Sequence, residues 1–308
     1  MKGGLHPDIT LPHSQEWELY HNGFSLCSKK LRVCLAELEL PYESRHVHLI
    51  ETGWYENVSP AFLKINPGGT VPVLLHDGHP VYESHDQIVY AAEHAGERGR
   101  ELLPQAVETK ALVDHWIDCA SLVGNIIDST KQRAGSCIPG LTLPLFATTV
   151  AYIAYGQILK GLLTHPDKKR PLIFLMLRFR GLRGLPKLGP ALKLLLQSRR
   201  HMGQHLDTLG EHLEKTGGPW IADDAYTLAD VSWVVILDRL VEADWDRYFW
   251  GGGRRPAVAA YWERLRERPS YRTEVLEMRG DIVRQGILDL KEAKALDRKL
   301  LDALEGDV

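Results

Sequence analysis

A serine and a cysteine two residues apart, Ser25 and Cys27, occupy a setting that favours an anion. The apolar run Trp17-Glu18-Leu19-Tyr20 and a turn-prone His21-Asn22-Gly23 precede them, while Leu31, Cys34, Leu35 and Leu38 follow at helical spacing. Strand, tight turn and helix put both residues at a helix N-terminus. There the unpaired N–H groups and the positive end of the helix dipole stabilise a thiolate. A free cysteine, with a pKa of about 8.5, is only slightly ionised at neutral pH. Lys29 and Lys30 close by would raise that fraction. A buried structural cysteine beside an N-cap serine would leave the same local pattern, so the rest of the chain decides.

A second stretch suited to binding is Asn66-Pro67-Gly68-Gly69-Thr70-Val71-Pro72-Val73-Leu74-Leu75. A Pro-Gly-Gly turn opens a strand that contains Pro72, and a proline there belongs on an edge or a bulge. A cis Val71–Pro72 bond would turn the free N–H and C=O of Val71 toward a ligand. His76-Asp77-Gly78-His79 is a hairpin signal. Glu83-Ser84 then opens another helix, where the serine hydroxyl and N–H are placed either to cap the helix or to hold a carboxylate. His46 and His48 alternate with apolar Val47 and Leu49 on a strand over 42–49 and face solvent; no third ligand follows them at metal spacing.

The elements that must hold these groups divide the chain. At 308 residues it is long for one domain. Residues 1–16, with Gly3-Gly4, Pro7 and Pro12, read as a flexible arm. Residues 17–94 read as strand–helix–strand followed by strand–strand–helix, and 95–104 as a linker. From 105 to 273 the pattern is wholly helical. Helices are expected over 105–130, 143–164, 201–215 and 256–267, with Trp116 and Tyr152 as aromatics that would line a cleft or join the core. Thr227 and Asp230 form a capping box, which makes Asp230 structural. The nearly all-apolar helix over 231–240 that follows is the expected buried axis. Residues 274–308 form a charged helical extension.

A net charge of −3 argues against nucleic acid as a partner. Cys27, Cys34, Cys119 and Cys137 show no CxxC pair, so neither a disulfide framework nor a metal site is expected, and a reducing cytoplasm is the natural compartment. No run of eighteen apolar residues predicts a membrane-spanning helix. Between 167 and 200, Asp167 is the only acid among ten cations interleaved with Leu172, Ile173, Phe174 and Met176. These cations are expected to face water, an anionic substrate or anionic lipid. The segment is either an insertion or lid packed on the helical domain, or a surface that makes peripheral membrane contact.

In this order the pieces resemble the glutathione transferase superfamily over roughly residues 17–270. The carrying residues are Phe24-Ser25-Leu26-Cys27-Ser28, Asn66-Pro67, Val71-Pro72-Val73-Leu74, Asp77-Gly78, Glu83-Ser84 and Tyr226-Thr227-Leu228-Ala229-Asp230. The Ser-x-Cys-Ser start looks like the zeta class and the tetrachlorohydroquinone dehalogenases, with Leu26 in place of the usual serine. The long insertion is similar to that of ganglioside-induced differentiation-associated proteins, and the C-terminal extension to that of bacterial β-etherases. The resemblance implies an α/β plus all-α architecture, with a thioredoxin-like domain that binds glutathione and a helical domain that supplies the second substrate's pocket. It also implies a homodimer. By the same resemblance Ser25 polarises the glutathione sulfur, Cys27 forms a mixed disulfide, and Thr70, Val71, Pro72, Glu83 and Ser84 hold the tripeptide. The implied activity is attack of glutathione thiolate on a small hydrophobic electrophile, with reductive dehalogenation or ether cleavage as variants. A non-catalytic, membrane-peripheral relative and a thiol reductase using Cys27 are the competing readings.

Overall fold

The computed structural model describes residues 2–123, 126–165 and 168–306. Strands β1 (Gly4–Leu5), β2 (Trp17–His21), β3 (Glu43–His46), β4 (Val73–His76) and β5 (His79–Tyr82) form one mixed sheet in the order β1-β5-β4-β2-β3. Alternation along β4 splits its side chains between two faces. Leu74 joins Leu19 and Val81 beneath α1 (Leu26–Glu37) and α3 (Ser84–His94), which contribute Leu31, Leu35 and Ile88. Val73 and Leu75 join Tyr82 beneath Phe62 of α2 (Pro60–Ile65). The β4–β5 turn places Asp77 (φ 49°) and Gly78 (φ 79°) in the left-handed region, as a two-residue hairpin turn requires. This is a thioredoxin-like domain.

Residues 2–16 do not form the flexible arm that the sequence suggested. Gly4 and Leu5 pair antiparallel with Tyr82 and Val81, closing an otherwise open sheet edge. Gly3 lies so near α3 that an added methyl group would meet the Asp86 carboxylate at 2.1 Å. Likewise, the stretch 95–104 is helical, forming α4 (Gly96–Leu102), with Gly99 pressed on the Ala92 carbonyl and Leu102 buried.

In the helical half, α5 (Val107–Cys119) stops short of the expected 130. The Ser121 hydroxyl donates to the Asp118 carbonyl at 2.8 Å, which competes with continuing the helix. After a short α6 (Ile126–Ser129), α7 (Ala134–Thr149) begins well before the expected 143 and carries Pro139 and Pro144 inside it. The span Ala134–Tyr152 is long and apolar enough to cross a bilayer, yet most of it is buried inside the helical domain. Next come α8 (Tyr155–Thr164), α9 (Lys169–Gly184) and α10 (Gly189–Thr216). The basic stretch is therefore α9 and the first turns of a long α10, which begins at Gly189 and not at 201. Its one acid, Asp167, lies outside the described residues.

Helix α11 (Leu228–Glu242) is buried almost throughout and starts at the Thr227–Asp230 capping box. Asp230 accepts from the Ile221 and Thr227 N–H groups and from the Tyr261 hydroxyl, which accounts for its burial. The chain finishes with α12 (Asp246–Phe249), α13 (Pro256–Arg266), a single turn α14 (Pro269–Tyr271), α15 (Asp281–Leu296) and α16 (Arg298–Glu305). The extension is part of the domain: Gly286 of α15 sits against Thr149, and the Thr148 hydroxyl donates to its carbonyl at 2.8 Å.

Candidate functional site

Ser25 is the N-cap of α1, with extended backbone and its Oγ accepting the Ser28 N–H at 3.3 Å. Cys27, in the first turn, is half-exposed, as is the Ser25 side chain. Cys34 and Cys137 are fully buried; burial pushes the Cys137 thiol up to about 12, raises Cys34 as well, and lifts Cys119 to a lesser degree. Buried polar groups hold the turn that presents Ser25. Asn22 Oδ1 accepts the Phe24 N–H at 2.9 Å, and its Nδ2 donates to the Val47 carbonyl at 2.9 Å. The Asn22 N–H in turn donates to Ser28 Oγ at 3.3 Å. His21 donates to or accepts from Ser44 at 2.7 Å and faces Arg32 at 3.1 Å; burial, then Arg32 and His46, hold its pKa down to about 3, so the ring is neutral. From the helical half, the Arg239 guanidinium donates to the Phe24 carbonyl and lies 3.9 Å over the Phe24 ring.

The two lysines beside Cys27 part company. Lys29 is wholly buried and points into the seam between the halves, its ammonium 2.7 Å from both Asp238 and Glu242 of α11. Arg239 and Arg279 share these carboxylates, and Tyr271 donates to Asp238 at 2.8 Å. Lys29 is thus neutralised away from the thiol, contrary to the role its position in sequence suggested. Lys30 stays on the cysteine side. It is 3% exposed, and among the described residues no carboxylate lies at ion-pair distance from it. Burial pulls its pKa down, while Cys27 first, then Cys34, Glu83 and Asp86, pull it back up. Lys30 therefore sits where the N-termini of α1 and α3 meet.

The Val71–Pro72 peptide is cis. The strand starts only at Val73, and among the described residues nothing bonds to the N–H or C=O of Val71. Asn66 folds the turn ahead of it: its Nδ2 donates to the Thr70 carbonyl and hydroxyl (2.8 and 3.0 Å), and its Oδ1 accepts the Gly68 N–H at 2.9 Å. Thr70 itself is exposed. Gln87, buried on α3, donates to the Pro72 carbonyl at 3.1 Å and the Val81 carbonyl at 2.7 Å, tying Pro72 to α3. At the start of α3, Glu83 adopts φ 65°, ψ 120°, and Ser84 is buried at the first helical position. A non-glycine residue held at positive φ is strained, and here the strain falls on the residue that caps α3.

Sequence reasoning singled out Ser25, Cys27, Thr70, Val71, Pro72, Glu83 and Ser84, and did not single out Asn22, Gln87 and Arg239, which hold the turns and helix starts that carry them. A polar residue on an apolar helix face, as Gln87 is beside Ile88 and Ala91, was the available signal. Trp116, one candidate for the cleft, is core, packed on Trp233 at 5.5 Å. Tyr152 is exposed and donates to Asp289 at 2.6 Å. An apolar path instead runs from Phe24 to Phe146 (5.9 Å) and on to Phe174 of α9 (5.5 Å).

A thioredoxin-like sheet domain whose helix N-termini and cis-proline turn converge, followed by a helical domain, defines the class. Family models for the glutathione S-transferase N-terminal domain and C-terminal domain match residues 24–94 and 197–272. Glutathione S-transferase TCHQD of Arabidopsis thaliana is 25% identical over 260 residues, 83% of this chain and 88% of that one. The tetrachloro-p-hydroquinone reductive dehalogenase of Sphingobium chlorophenolicum is 26% identical, over 84% of this chain and 95% of its own. The β-etherase LigF of Sphingobium sp. strain SYK-6 shares the fold, with a TM-score of 0.65 at 23% identity over 86% of this chain and 98% of that one. Both halves of the chain thus match glutathione transferase domains, whose co-substrate is glutathione, and these matches support glutathione-dependent catalysis.

Proposed function

We propose that this chain is a glutathione transferase that activates the glutathione thiolate for attack on a small hydrophobic electrophile, with a reductive branch through Cys27. The observation that supports the reading is that Lys30 lies close to both Cys27 at the start of α1 and Glu83 and Asp86 at the start of α3, while Gln87 of α3 donates to the carbonyl of Pro72, next to the unpaired backbone of Val71. Val71 would pair with the cysteinyl part of the tripeptide, and Ser84 with the α3 N–H groups would take the γ-glutamyl carboxylate. The Ser25 hydroxyl would donate to the sulfur, lowering the thiol's pKa as its proton leaves to solvent. The thiolate forms the C–S bond while the C–X bond breaks and X departs with the electron pair. In the reductive branch, Cys27 thiolate attacks the conjugate's sulfur. A Cys27–glutathione disulfide forms, the carbon fragment leaves as an anion and takes a proton, and a second glutathione restores Cys27 while leaving as glutathione disulfide. The tetrachloro-p-hydroquinone dehalogenation named for one relative supports an aromatic substrate for this site, and the Phe24–Phe146–Phe174 path supports an apolar one.

The test is an aromatic halide and aryl-ether panel with wild type, Ser25→Ala and Cys27→Ser. Ser25→Ala should lose about ten- to a hundred-fold in conjugation, the worth of one hydrogen bond to a charged sulfur, roughly 1.5–3 kcal/mol. Cys27→Ser should keep conjugation and lose only reduction. No turnover of any electrophile by wild type refutes the reading. A homodimer in a reducing cytoplasm is part of the same proposal.

One observation favours peripheral membrane contact as an added property. Leu159 and Leu163 of α8 and Leu172, Ile173, Met176 and Phe179 of α9 are exposed, with Phe179 at 71%, while Phe174 and Leu177 turn inward. Lys160, Arg180 and Arg183 lie along the same two helices. Co-sedimentation with anionic vesicles at low salt, reversed at high salt, is expected; a protein left in the supernatant at low salt refutes it.

A further inference from the structure

A large cleft in the molecule lies away from the glutathione site. It measures about 840 Å³ and lies between α10, the turn after α12, and α16, all in the helical half. Six arginines line it: Arg199, Arg200, Arg247, Arg254, Arg255 and Arg298. In a chain of net charge −3, this concentration is local and not a bulk property.

The partners of these guanidinium groups separate walls from free donors. Arg255 is committed: it donates to Asp207 (2.8 Å), to the Phe249 carbonyl (2.6 Å) and to the Gly203 carbonyl (3.2 Å). Those three acceptors hold Arg255 in a left-handed conformation (φ 69°), an uncommon state for a residue with a side chain. Arg199 is buried and donates to the Leu304 (2.6 Å) and Gly306 (2.8 Å) carbonyls at the C-terminal end of α16, which joins that helix to the cleft. This corrects the expectation that every cation of the basic stretch faces water or a ligand. Arg298 pairs with Asp302 at 2.9 Å. Arg254 uses one nitrogen, on the Tyr248 carbonyl at 2.7 Å. Arg200 and Arg247 are exposed and have no hydrogen-bond or ion-pair partner among the described residues.

Three carboxylates line the same cleft, and each is engaged: Asp207 by Arg255, Asp302 by Arg298, and Glu305 by Lys294. Six guanidinium groups against three occupied carboxylates leave the concavity strongly positive, with Arg200, Arg247 and most of Arg254 available. Beside them Gly252 (φ 64°) and Gly253 (φ 80°) turn the backbone without crowding, since a Cβ at either would meet nothing within 4 Å. Guanidinium forks match the paired oxygens of phosphate groups, and a low-dielectric concave wall strengthens the match. A lone phosphate would leave most of 840 Å³ empty, whereas a nucleotide-sized molecule would fill it.

We propose that this cleft binds a soluble phosphorylated metabolite bearing a di- or triphosphate group, held chiefly by Arg200, Arg247 and Arg254, at a site separate from that of glutathione. Such a ligand would bridge α10, the turn after α12, and α16, and so stabilise the C-terminal extension against the helical domain.

The experiment is calorimetric titration and thermal melting of the full chain with inorganic tripolyphosphate, a nucleoside triphosphate, sulfate at matched ionic strength, and vesicles of anionic phospholipid. Saturable binding of tripolyphosphate and the nucleotide near 0.15 M salt is expected, with a raised Tm and no displacement by excess glutathione. Arg200→Gln/Arg247→Gln should weaken that binding at least ten-fold and leave glutathione turnover unchanged; both side chains are exposed and unpartnered, so the variant folds. Three outcomes would each overturn the proposal: no saturable binding at millimolar tripolyphosphate, equal affinity in the double variant, or binding to the vesicles alone.

Discussion

Replacing Glu242 by Gln should destabilise the protein far more than replacing Lys29 by Met, although the two residues form one ion pair. In the buried seam three cations, Lys29, Arg239 and Arg279, face two carboxylates, Asp238 and Glu242. Burial alone would raise the Glu242 carboxyl, but Lys29, Arg239 and Arg279 together hold it down to about 2. Glu242→Gln leaves three cations on one carboxylate, so buried positive charge goes uncompensated. Breaking a buried ion pair in this way costs roughly 3–5 kcal/mol. At about 2–4 °C per kcal/mol for a chain of comparable size, Tm should fall by roughly 6–20 °C. Lys29→Met removes two charge-assisted hydrogen bonds but leaves two arginines on two carboxylates, and it relieves the desolvation of an ammonium with a side chain of similar length. A loss of no more than about 2 kcal/mol is expected. Urea denaturation and thermal melting followed by far-UV circular dichroism measure both. The linkage has a definite sign. A carboxyl depressed in the folded state contributes stability that is present above its ordinary pKa of 4.5 and is lost as pH falls toward about 2. The gap between wild type and Glu242→Gln should therefore shrink across that window. A Lys29→Met protein as unstable as Glu242→Gln, or a gap independent of pH, would refute the charge count.

Brief, limiting alkylation followed by mass mapping should label Cys27 first, because Cys34 and Cys137 are buried and burial raises Cys119; preferential labelling of Cys119 would contradict this. Lys30→Met should slow that alkylation severalfold near neutral pH and Lys29→Met should not, since only Lys30 is electrostatically coupled to Cys27; equal rates in both variants would remove Lys30 from the site. His21 is held neutral, its pKa lowered from 6.5 to about 3, so the unfolded state binds the extra proton between those values and stability should decline as pH falls through that range. His21→Gln should flatten that part of the curve, and an unchanged slope would rule the ring out. Asn66→Ala breaks the hydrogen bonds that shape residues 67–70 and should raise KM for glutathione about ten-fold with kcat little changed; an equal fall in kcat with KM unaltered would mean the turn does not bind the tripeptide.

Much of the site was legible in the sequence because its signals are local. Ser25 at an N-cap, the Asp77-Gly78 turn, a proline at a strand's start and the Thr227–Asp230 capping box each depend on a few neighbouring residues and their backbone preferences. The two-part fold was legible for the same reason, since period-two and period-3.6 patterns are written along the chain. Where local signals competed with packing, packing won. Two prolines inside α7 are tolerated because that helix is buried among its neighbours, and two residues of an arm rich in glycine and proline become a strand because a sheet edge was open to pair with them. The charges were the least legible feature. Lys29 and Lys30 are adjacent in sequence, yet a helix turns successive residues by about 100°. One enters the seam against α11 while the other joins the thiol, and Arg199 is buried by the carbonyls of a helix more than a hundred residues away. What a charge does depends on which groups fold against it, and those groups come from distant parts of the chain.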